Sequence, residues 1–164
     1  MRGLARNQRG MMIAEVLVAV GIISVGLTAL SSAIPLASYG IQEGSQLSTA
    51  TFLANQRMEQ VRNATWQASP PVDNLGLSTS RTSAPVNGAV TTFPDENPVA
   101  APYAGYTRTV RITSCGVGPG CSGIVSAGLR QVTVTASYRP MTGIGVAPAT
   151  TAKSAVITMY IAER

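Results

Sequence analysis

The chain has no histidine, only two cysteines and one tryptophan, and few charges: 12% of its 164 residues are Asp, Glu, Lys or Arg. Without histidine, His-based triads and most zinc sites are excluded, and two cysteines cannot supply the usual thiolate cluster. No catalytic constellation, metal or cofactor is implied, so the expected role is non-enzymatic. Aromatic residues make up 5%, and arginines without an aromatic platform are a weak signal for nucleic-acid binding. The formal net charge is +5, but three of the positive charges are Arg2, Arg6 and Arg9. The +2 that remains for the rest of the chain is too small to argue for nucleic acid by itself. The most informative lack is local: from Met11 to Leu36 the only charged residue is Glu15.

That run is long enough, at about 1.5 Å per helical residue, to cross a hydrocarbon layer of roughly 30 Å. An acid inside such a span costs about 2.5 to 3.5 kcal/mol on insertion scales, which marks Glu15 as a functional residue. The positive-inside rule keeps the arginine-bearing end cytoplasmic and sends the remainder outward. Cys115 and Cys121, the only cysteines, then lie in an exported domain where a disulfide persists. Two simpler readings compete. A cleaved secretory signal would use Ser31-Ser32-Ala33 before Ile34, but its apolar core would exceed the roughly 7 to 15 residues usual for such signals. A plain signal anchor would leave Glu15 idle at the membrane edge.

The stretch Arg9-Gly10-Met11-Met12-Ile13-Ala14-Glu15-Val16-Leu17-Val18 resembles the type IV prepilin family, which includes pilins and the pseudopilins of type II secretion. The resemblance implies a basic leader over residues 1–10, removed by a prepilin peptidase between Gly10 and Met11, with methylation of the new amino terminus at Met11. Glu15 becomes the fifth mature residue, where the family's glutamate pairs with the amino terminus of a neighbouring subunit. Met11 stands where phenylalanine is usual in the family. Residues 11–36 would form the membrane-spanning and filament-core helix, and residues 37–164 a periplasmic pilin-like domain.

Past Ile41 the apolar pattern narrows to one face. Leu47, Ala50, Thr51, Ala54, Met58, Val61 and Thr65 fall together at 100° per residue, opposite Gln56, Glu59, Gln60 and Asn63. The helix is expected to reach about residue 68, stopped by Ser69-Pro70-Pro71. Pro35 removes a backbone donor within it, so a kink or a melted turn is expected there. Residues 69–104 read as loop, with at most a short strand near Ala89 to Phe93. Residues 105–164 read as antiparallel sheet. Tyr106, Arg108, Val110 and Ile112 share one face, as do Val132, Val134, Ala136 and Tyr138, and Ala155, Ile157, Met159 and Ile161. Arg108 interrupts an otherwise apolar face. The fold class is therefore α+β, a long amino-terminal helix whose amphipathic half packs on a carboxy-terminal antiparallel sheet. Thr51 to Arg62 together with the late strands also resembles the minor-subunit branch, the V-type minor pilins and I-type pseudopilins.

The segment from Cys115 to Cys121 is a glycine-rich loop between the first two long strands, and a disulfide across it stiffens a hairpin by about 2 to 2.5 kcal/mol in the loop-entropy picture. Asn63-Ala64-Thr65 matches a glycosylation sequon by chance. The expected function is a minor subunit of a type IV pilus assembled from the bacterial inner membrane. The expected partners are other pilin or pseudopilin subunits, the prepilin peptidase, the inner-membrane assembly platform and the membrane itself. The alternatives are a minor pseudopilin of a type II secretion system, a tip subunit that captures DNA or a surface through Arg81, Arg108, Arg111, Arg130 and Arg139, and a monomeric anchored domain.

Overall fold

The computed structural model describes residues 13–116, 121, 123–140 and 151–164, so the cleavage position at Gly10 and Met11 lies outside the described residues. The fold is α+β. One helix, α1 (Ile13–Arg62), is followed by five short strands and then three long ones, β6 (Tyr106–Ser114), β7 (Leu129–Tyr138) and β8 (Lys153–Ala162). The chain divides into two units at Gly40.

In the first unit α1 is apolar on all sides, with Leu17, Val18, Ile22, Val25 and Leu30 all exposed. Ser24, Thr28 and Ser31 donate their hydroxyls to the carbonyls of Val20, Ser24 and Leu27 at 2.7 to 2.8 Å. Polar side chains on an apolar helix are satisfied in this way by their own backbone. α1 is helical through Pro35, so the melted turn considered for that position does not form. A single proline removes one donor, and the rest of the ladder is left to hold the turn.

In the second unit, Ala50, Leu53, Ala54, Met58 and Val61 of α1 enter one buried cluster with Val110 and Ile112 of β6 and Val132, Val134 and Ala136 of β7. The buried stripe is rotated by roughly 40° from the expected one at 100° per residue. Leu47 and Thr51 are exposed, and Leu53 joins the stripe at its edge. The reason is lateral: bulky Leu53 fills more of the space over the sheet than Thr51 would, and the helix turns to bury it.

The helix ends at Arg62, not near residue 68. Asn63 and Ala64 close its last turn on the carbonyls of Glu59 and Val61, and the β-branched and aromatic pair Thr65-Trp66 leaves it. Trp66–Gln67 forms β1, paired antiparallel with β2 (Val72–Asp73), so the Ser69-Pro70-Pro71 punctuation makes the turn of this small hairpin and not the helix stop. The expected loop 69–104 also carries β3 (Leu77–Ser78), β4 (Pro85–Asn87) and β5 (Val90–Thr91) in a three-stranded sheet. Only β5 lies where a strand was expected. Gly76 permits the turn into β3: its φ is +68°, and a Cβ there would meet the Val86 carbonyl carbon at 2.7 Å.

The main sheet has the order β6-β7-β8, antiparallel throughout. Its inner face carries the residues that alternation assigned to it. On β6 and β7 they are largely buried, and on β8 the corresponding Ala155, Ile157, Met159 and Ile161 are half-buried. Cys115 and Cys121 are joined by a disulfide with a Cα–Cα distance of 4.9 Å, as expected. Beside it, Gly116 lies so close to Ala127 that a Cβ would come within 2.6 Å of the Ala127 Cα.

Candidate functional site

Two features of the chain stand apart from ordinary packing. The first is the amino-terminal half of α1. Its apolar side chains find no cover within the described residues, and it is long and apolar enough to cross a membrane. Glu15 lies in its first turn, exposed, with no ion pair among the described residues. A carboxylate near a helix amino terminus suits the helix dipole, and were this helix surrounded by lipid or by other helices the charge would require a partner. The amino-terminal half of α1 thus presents, among the described residues, an uncovered apolar surface and a single charge.

The second feature is the set of arginines on the sheet. Arg108 is 6% exposed, and its place on the apolar face is explained by its partners. Its Nη2 and Nε reach Glu96 Oε2 at 2.7 and 2.9 Å, and its Nη1 donates to the Leu53 carbonyl and Gln56 Oε1, both at 3.0 Å. Glu96 is held there by backbone bonds with Arg108 in both directions at 2.9 Å. Arg57 reaches the same carboxylate at 3.5 Å and lies over the Phe93 ring. Burial and the nearby Arg108 lower the Arg57 pKa, against the pull of Glu96, with burial the largest influence.

Arg130, 8% exposed, forms a bidentate pair with Asp73 at 2.7 and 2.8 Å and stacks over Trp66 at 4.1 Å. Asp73 also accepts the backbone N–H groups of Leu75 and Gly76. These bonds, that from Arg130 first, hold its carboxyl below the ordinary aspartate value. Arg111 makes a second bidentate pair, with Asp95, at 2.6 and 2.8 Å. Three of the five arginines considered for DNA or surface capture are therefore turned onto carboxylates. Arg81 and Arg139 are exposed and make no ion pair among the described residues.

Arg81 borders a groove of about 740 Å³ on the outer face of the sheet, lined by Arg111, Thr109, Thr113, Thr133 and Thr135 and by the 77–82 segment. Its lining mixes hydroxyls and two guanidinium groups with Leu77, Gln131 and the methyls of the threonines, so a ligand there would meet both hydrogen-bonding groups and apolar surface. Among the described residues no group of three or more His, Cys, Asp and Glu side chains is placed to hold a metal.

The carboxylate partners were not legible beforehand. Glu96 and Asp73 lie in a segment read as loop, and their arginines lie in sequence-distant strands. The alternation that placed Arg108 inward was itself the signal that some acid must meet it. Comparison of the chain with protein-family models, with curated proteins and with solved structures gives no match.

Proposed function

We propose that the chain is a minor pilin, a structural subunit of a type IV pilus, inserted in the inner membrane and assembled from there; a minor pseudopilin of type II secretion is the sister reading. One observation carries it: the amino-terminal half of α1, apolar, uncovered by the described residues and with Glu15 as its one acid, leads into a disulfide-bonded α+β head. Side-by-side packing of such helices covers the apolar surface, and the amino terminus of a neighbour supplies the cation that Glu15 lacks. The resemblance of residues 9–18 to the prepilin motif supports the same reading. Leaving one member of such a pair stranded in apolar surroundings costs about 3 to 5 kcal/mol, enough to decide whether a subunit is incorporated.

Capture of DNA by a tip subunit has less support, because Arg108, Arg111 and Arg130 are committed to Glu96, Asp95 and Asp73.

Processing and assembly test the proposal together. The intact mass of the mature protein should correspond to a chain beginning at Met11 with one added methyl group, and a bulky residue in place of Gly10 should leave the precursor in the membrane. A mature chain beginning at Ile34, or one retaining Arg2 to Gly10, would overturn the reading. Glu15→Ala should insert in the membrane, since the span becomes more apolar, yet be depleted from sheared filaments. Equal incorporation of variant and wild type would favour the monomeric anchored domain.

A further inference from the structure

The two edges of the main sheet are finished differently. The β6 edge is closed: Glu96 and Arg108 exchange backbone bonds, Val99 donates to the Tyr106 carbonyl, and the Ile112 N–H is taken by Ser78 Oγ. On the β8 edge the described residues supply no backbone partner from Lys153 to Ala162; only Arg164 is held, by Trp66 and Ala68. β8 is ten residues long, has no charge between Ser154 and Ala162, and contains no proline. A long apolar edge of this kind is a template for another strand unless something blunts it. Its inner-face residues are half-buried where those of β7 are buried, so the apolar face also stops short there.

We propose that this edge pairs antiparallel with the β8 edge of a second copy of the chain. The sequence of the strand complements itself. Opposed residues must share a face, so the register shifts only in steps of two. Among the allowed registers, the one centred on Thr158 sets Lys153 of each copy against Glu163 of the other. It also sets Val156 against Tyr160 on the outer face and Ile157 against Met159 on the inner one, both favourable cross-strand pairs. Moving the centre to either neighbouring residue of a consistent face leaves Lys153 without an acid across the edge. Lys153 is the only lysine in the chain; within its own copy it reaches Glu43, and both side chains are half-exposed, leaving the ammonium free to share a second carboxylate. The 66–68 segment bonds Arg164 on this same edge, so backbone pairing stops at Ala162 and Lys153 of the other copy meets Glu163 through their long side chains.

A two-fold of this kind stands perpendicular to the sheet and reverses every direction within its plane. The segments of α1 packed on the two sheets consequently run antiparallel. Resting on the pilin reading, the contact joins heads carried by separate filaments and not neighbours in one.

The test uses the full chain in detergent micelles. At the two-fold, opposed Cα atoms are about 4.5 to 5.5 Å apart, within disulfide range, so Thr158→Cys should yield a covalent dimer under mild oxidation. Val156→Cys should not, because its two copies would lie roughly 13 Å apart along the strands. Thr158→Lys, an exposed substitution that sets like charges in opposition, should abolish the dimer seen by light scattering while leaving the circular dichroism spectrum unchanged. Linking of Val156→Cys as readily as Thr158→Cys would overturn the proposal. So would a wild-type monomer at all concentrations, or slow exchange in the monomer of those β8 amides that do not bond to β7, which would mean that the same chain covers the edge. None of these readouts depends on leader cleavage or filament incorporation, so failure here is separate from failure of the pilin reading.

Discussion

Replacing Arg130 by methionine isolates the contribution of one buried charge, because methionine keeps most of the stem volume. The substitution removes two charge-assisted bonds to Asp73, one bond to the Gly76 carbonyl at 3.2 Å, and the stacking on Trp66. Breaking a buried pair costs about 3 to 5 kcal/mol, but Asp73 is 30% exposed and keeps two backbone donors. A loss of about 3 kcal/mol follows, near the lower limit, or a fall in Tm of roughly 10 °C for a head of this size. Thermal unfolding of the full chain in micelles, followed by circular dichroism, measures it. Arg111→Met is the control, since its partner Asp95 is 39% exposed and such pairs contribute under about 1 kcal/mol.

The same pair predicts a pH dependence. The Asp73 carboxyl has a lowered pKa in the folded chain, so its stabilising contribution is complete above the unfolded value of about 3.9 and is lost as pH falls through the lower folded value. Wild type should therefore lose stability in acid more steeply than Asp73→Asn. Equal and small effects of Arg130→Met and Arg111→Met, or identical acid profiles for wild type and Asp73→Asn, would refute the reasoning.

Leu53→Ala, at a fully buried position of the core, should cost about 2 to 5 kcal/mol, whereas Thr51→Ala on the exposed side of the same turn should stay within about 0.5 kcal/mol; denaturant midpoints compare them. Cys121→Ser should lower stability by about 2 kcal/mol without loss of the fold, and alkylation before and after reduction should find no free thiol in the native wild type.

How far the sequence reads is clearest in particular residues. Period-two alternation placed Val110, Ile112, Val132, Val134 and Ala136 on the buried face, because a strand has only two faces and a single apolar set chooses between them. The helix was less sharply specified. Several rotations bury comparable apolar area, and the presence of Leu53 over the sheet chose among them. The ends of elements were least legible: Ser69-Pro70-Pro71 is a stop signal in either setting, and only the packing of Trp66 against Arg130 made it a hairpin turn in place of a helix end.

By itself the sequence determined the α+β plan: a charge-poor apolar span interrupted by Glu15, three alternating strands and two cysteines within loop reach of each other. These depend on local composition and period, which the chain carries wherever it folds. The tertiary structure decided which acids meet the buried arginines, which face of the helix turns inward, and how differently the described residues finish the two edges of the sheet. Each of those joins residues far apart in the chain, so each depends on the packing of the whole head and on no single segment of it.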